Sequence, residues 1–148
     1  MGALFFRSNA NRPSAETFES ASRRCAAISS FALDHVQVVV PSGGVEEAAR
    51  FYADVVGLLQ IERPETMGGV GAWFRAGSQE LHVSEYEDFA PARKAHPAFE
   101  LGAGDLDALA ERLEAAGAKV QWDERLPGAR RFYSFDPAGN RLEFLARR

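Results

Sequence analysis

The chain has 148 residues, 46% of them hydrophobic and 26% charged, and a net charge of −4. These values describe one soluble globular domain, long enough to bury a core. They disfavour a nucleic-acid partner, no apolar run reaches the ~18 residues of a membrane span, and the lone Cys25 leaves no internal disulfide and suits a reducing, cytoplasmic compartment.

Residues 1–30 form a poorly specified extension. Leu4-Phe5-Phe6 is too short for the apolar stretch of a signal peptide, which needs ~7–15 residues. Phe18, Ala21, Cys25 and Ile28 recur at steps of three and four, which predicts a short amphipathic helix after Pro13. From Phe31 the pattern sharpens. A valine-rich strand over 32–40 ends at Pro41-Ser42-Gly43-Gly44. A helix over 45–56 follows, with Val45, Ala48, Ala49, Tyr52 and Val56 on one face and Gly57 as its stop. A short strand over 58–61 comes next, then a hairpin of 71–76 and 79–84 joined by Gly77-Ser78. Residues 86–95 read as a polar linker, with Arg93 and Lys94 solvated.

The second half repeats the plan. A strand is predicted over 96–101, and a helix over 105–116 burying Leu106, Leu109, Ala110 and Leu113 and stopped by Gly117. A short strand over 120–122 follows, then a closing hairpin of 130–135 and 140–145 around Asp136-Pro137-Ala138-Gly139. The glycines that stop the helices lie 60 residues apart. Two copies of one unit at this spacing predict an α+β fold of two tandem βαβββ modules, over 31–85 and 96–146, within one domain of 31–146. The modules would form a curved mixed sheet, a half-barrel, with helices outside and a polar cup within. Such an open sheet leaves edges to cover, which predicts a homodimer.

All three histidines of the chain fall on this repeat. His35 and His96 lie in the first strands of the two halves, His82 and Glu143 in the last, and 47 residues separate the members of each pair. Each sits on the more polar face of its strand. Three imidazoles and a carboxylate suit a borderline divalent cation such as zinc, iron, nickel, cobalt or manganese. The competing interpretation is a buried hydrogen-bonded network of the same four groups. Across the first hairpin Trp73 pairs with His82 and Arg75 with Glu80, so Trp73 and Arg75, with Gln37 beside His35, would line the cup and bind a small-molecule substrate. Arg130 and Arg131 default to solvent, because the loop before Asn140 leaves their parity open.

Asp34-His35-Val36, Ala49-Arg50-Phe51-Tyr52 with Val56-Gly57-Leu58, Leu81-His82-Val83, and Asp136-Pro137-Ala138-Gly139-Asn140-Arg141-Leu142-Glu143-Phe144 resemble the vicinal oxygen chelate superfamily. That group includes glyoxalases, epimerases, fosfomycin-resistance enzymes, extradiol dioxygenases and bleomycin-binding proteins. The resemblance implies paired modules and metal positions at His35, His82, His96 and Glu143. Histidine at the second position departs from the Glu or Gln frequent in the isomerase and epimerase branches. Four ligands favour Lewis-acid lyase, isomerase or epimerase chemistry on a vicinal-oxygen substrate, with Glu143 alternating between ligand and catalytic base. If His82 swings away, His35, His96 and Glu143 remain as a facial triad, and dioxygenase or thiol-transfer chemistry returns. A metal-free drug-binding protein of the bleomycin-resistance type is the third reading.

Overall fold

Valines at alternate positions give the first strand, β1 (His35–Val40), a buried face of Val38 and Val40, opposite His35 and Gln37. The computed structural model describes residue 30 and residues 32–148, so the helix expected after Pro13 lies outside the described residues. Residues Leu33–Arg148 form one compact unit. After β1 come α1 (Val45–Arg50), continuing as a π-helix (Phe51–Val56), β2 (Leu59–Ile61), β3 (Gly71–Ala76) and β4 (Gln79–Glu85). The second module holds β5 (Ala98–Glu100), α2 (Asp105–Ala115), β6 (Gln121–Asp123), β7 (Ala129–Phe135) and β8 (Arg141–Arg147). The two βαβββ modules therefore stand as predicted.

Each module forms its own four-stranded mixed sheet, ordered β1-β4-β3-β2 and β5-β8-β7-β6. β1 runs parallel to β4 and β5 to β8, and the other neighbours are antiparallel. The pairings Trp73 with His82 and Arg75 with Glu80 hold as the two-residue turn dictates. Phe74, Leu81 and Val83 of the first sheet and Phe132, Leu142 and Phe144 of the second join α1, the π-helix and α2 in one core. Burial of side chains this large stabilises by about 1.5–3 kcal/mol each.

Three local expectations change, the first being that β1 starts at His35 and not at residue 32. The helix over 45–56 is not α throughout: its second half widens to π geometry, and Phe51, Tyr52 and Val56 are all buried there. Phe51 lay off the predicted apolar face, and the wider turns let it enter the core beside Tyr52, ring against ring at 5.4 Å. The fifth strand begins at Ala98, so His96 precedes it and is held by the end of the linker. Among the described residues no helix is long and apolar enough to cross a membrane.

The modules are tied together by the turn before β8. The Asp136 carboxylate accepts from the Tyr52 hydroxyl at 2.9 Å and from the backbone and side-chain amides of Asn140 at 2.8 Å. Asn140 also donates to the Val39 carbonyl at 2.8 Å. One buried carboxylate thus fixes the start of β8 against both the π-helix and β1.

Candidate functional site

On the first sheet three rings form a column. Trp73 lies flat on His82, centroids 3.9 Å apart and planes 4° apart, and His82 stacks on His35 at 4.3 Å and 16°. The order follows from the ladder: Trp73 pairs with His82 across β3 and β4, and β1 is the next strand along. His35 donates from Nδ1 to Asp34 at 2.8 Å, which leaves Nε2 as an available lone pair. His82 is buried, and its Nε2 is engaged by Glu80 at 3.0 Å. Glu80 also pairs with Arg75 at 3.1 Å. Gln37 donates to the Ser84 hydroxyl at 3.0 Å.

On the second sheet His96 and Glu143 meet directly. His96 Nδ1 is 2.7 Å from the Lys94 carbonyl, an acceptor, so Nδ1 carries a proton and donates it. Its Nε2 lies 2.9 Å from Glu143 Oε2, also an acceptor. Both ring nitrogens face acceptors, so a proton or a cation must lie between Nε2 and the carboxylate. A histidine whose far nitrogen donates to a backbone carbonyl has the anchoring usual for metal ligands. The other oxygen, Glu143 Oε1, accepts from Arg131 at 3.1 Å. Burial pushes the Glu143 carboxyl up, but the bonds from His96 and Arg131 and the charge of Arg131 outweigh it and hold the group below its ordinary value.

Arg131 corrects the sequence reading, which left it in solvent. Its side chain is only 17% exposed and spans from Glu143 to Asp123, where its second contact is 3.4 Å. Asp123 takes side-chain and backbone bonds from Arg125, which hold its carboxyl far below the usual range. Arg130, in contrast, is half-exposed and paired with Asp107 on α2. The hairpin explains the difference. Phe135 pairs with Arg141 across a five-residue loop, so odd-numbered residues face odd-numbered ones, and Arg131 and Tyr133 share the face of Glu143. Tyr133 stands directly opposite Glu143, as Trp73 stands opposite His82.

The four predicted ligands therefore meet as two pairs, one per sheet. Among the described residues no group of three or more His, Cys, Asp or Glu side chains is gathered to hold a metal ion. Both pairs lie on sheet faces turned away from the shared core. His96 also lines two cavities between the modules. One, of about 300 Å³, contains Gln37, Asn140 and Arg141, and the other, of about 590 Å³, contains Glu80 and Phe99.

Similarity to known proteins agrees with this architecture. Glutathione transferase FosA of Serratia marcescens is 28% identical over 116 residues, 75% of this chain and 77% of that one. The manganese-dependent 2,3-dihydroxybiphenyl 1,2-dioxygenase of Geobacillus genomosp. 3 is 31% identical over 91 residues, 61% of this chain but only 27% of the dioxygenase. A glyoxalase family protein from Bacillus anthracis superposes with a TM-score of 0.76 at 38% identity, over 83% of this chain and all of the other. A model of the Glyoxalase/Bleomycin resistance protein/Dioxygenase superfamily matches residues 32–144, and with its two βαβββ modules in place the chain belongs to that superfamily.

Proposed function

We propose that the protein is a divalent-metal enzyme of glyoxalase-like type, acting on a small substrate with neighbouring oxygens. The cation is held by His96 and Glu143 of one chain and His35 of a second copy. The observation that carries this is His96, anchored through Nδ1 by the Lys94 carbonyl and aimed through Nε2 at a buried carboxylate. His35 is prepared in the same sense, with Asp34 on Nδ1 and Nε2 available. Each pair alone is too small a ligand set, which supports completion by a homodimer. His82 is assigned to the wall, because it is buried and sandwiched between the rings of Trp73 and His35.

When bound, the cation supplies Lewis-acid polarisation of a substrate oxygen. The chain's own groups do the positioning. Arg131 orients Glu143, the Trp73–His82 column fixes the ring of His35, and Gln37 lies in the cavity beside His96. Glu143, bonded at both oxygens, is held in place as a ligand. With His82 in the wall, the three-ligand set favours thiol-transfer ahead of lyase or isomerase chemistry, and the resemblance to a glutathione transferase supports addition of a nucleophile. The set of two histidines and one carboxylate, with the manganese-dependent relative, supports dioxygenase activity as a second reading.

The test is metal content after reconstitution with manganese. The wild type should hold about one ion per protomer, His35→Ala and His96→Ala none, and His82→Ala a full complement. Mixing His35→Ala with Glu143→Gln and allowing subunits to exchange should restore one intact site in each mixed dimer. Failure to restore would place the ligands within one chain, and no metal in any protein would leave the metal-free binding protein. Oxygen consumption with a catechol would select the dioxygenase reading.

A further inference from the structure

We propose that Arg141 anchors an oxyanion, so that the substrate of this site is a small carboxylate-class anion with an apolar body. Arg141 opens β8 on the face that carries Glu143. Its guanidinium lies 3.7 Å from the ring centroid of Tyr133, the residue directly opposite Glu143. It lines the 300 Å³ cavity together with His96 and Gln37, and among the described residues no carboxylate lines that cavity. Among the described residues Arg141 makes no ion pair, whereas Arg130 and Arg131 both do. Apart from Asn140, the remaining wall is apolar: Val36, Val38, Val39, Pro97 and three alanines of the linker.

These features suit one ligand chemistry. A guanidinium held on an aromatic face keeps its planar fork of donors free, and that fork matches the two oxygens of a carboxylate. Apolar walls strip it of water and strengthen the attraction for an anion. A neutral ligand would leave the cation unpaired. The inference deepens the proposed function by naming a substrate class, and it rests on that reading only in taking this cavity as the substrate's.

The experiment uses the full chain treated with a chelator, so that anion binding is read apart from metal binding. Benzoate and its neutral counterpart benzamide are titrated calorimetrically, and contact is mapped by saturation-transfer NMR. Benzoate should bind at least about tenfold more tightly than benzamide, and Arg141→Met should abolish that preference. Arg141→Lys, which retains the charge, should keep much of it. Equal binding of the two probes, or an undiminished preference in a folded Arg141→Met, overturns the proposal. Failure of the wild type to bind manganese on reconstitution, with the benzoate preference intact, would count against the metal site and not against the anion seat.

Discussion

Asp136 is the residue on which the joining of the two modules turns. Its bond from Tyr52 is buried at both ends, and Tyr52→Phe removes the donor while leaving the ring in place. That change should cost about 1.5–3 kcal/mol, the usual worth of a hydrogen bond to a charged group, read from the urea midpoint. Burial first, and then the charge of Asp136, push the Tyr52 hydroxyl well above its ordinary value. Burial also raises the Asp136 carboxyl, against the bonds from Asn140 and Tyr52 that pull it down. The folded chain therefore holds a proton at Asp136 more tightly than the unfolded chain does. This contribution is complete below the ordinary carboxyl value of ~3.9 and is lost as pH rises through the higher folded value. Relative to Asp136→Asn, the wild type should lose ground as pH rises above about 4 in paired urea melts, and a difference that stays level or grows would contradict this. The acid was visible in the sequence as part of a turn. Its partner Tyr52, 84 positions away, was not, because only the tertiary fold brings the two together.

At the scale of the elements, legibility followed turn length. The two-residue turn Gly77-Ser78 fixed the register of β3 and β4 outright, so the pairings of Trp73 with His82 and Arg75 with Glu80 came out as expected. The closing hairpin turns through five residues and left the parity of β7 undetermined, and Arg131 was misassigned for that reason. The π-helix escaped because its apolar residues also satisfy an α-helical period through Val45, Ala48, Tyr52 and Val56. His96 was expected inside a strand but sits two residues before it, where the linker carbonyl of Lys94 can reach its ring. Gly139 shows that the closing turn needs a left-handed backbone more than it needs space. It has φ +87°, and an added Cβ would lie 3.6 Å from Pro91 in the linker. Gly139→Ala should therefore destabilise by about 1–2 kcal/mol through the left-handed backbone alone, measured as a lower urea midpoint with little change in slope.

At the scale of the molecule, the duplication was legible because helix stops and histidines repeat at fixed offsets, whereas the division of the ligands between separate faces was not. Sequence spacing says which strand carries a residue, and nothing about how far apart two sheets stand. Sharing a cation between two copies would link assembly to metal binding. Dilution below the dimer dissociation constant should release manganese from the wild type, and excess manganese should shift sedimentation toward the dimer. Metal retention independent of protein concentration would speak for a site within one chain.

The ring column on the first sheet gives the protein a built-in optical gauge. The chain has two tryptophans. Trp122 is exposed beside Arg130, but Trp73 lies flush on His82 with His35 next in line. An ion drawing His35 toward it would loosen that column and change the emission of one indole while sparing the other. Titrating manganese into Trp122→Phe should therefore report occupancy directly, and the same titration into Trp73→Phe should be silent.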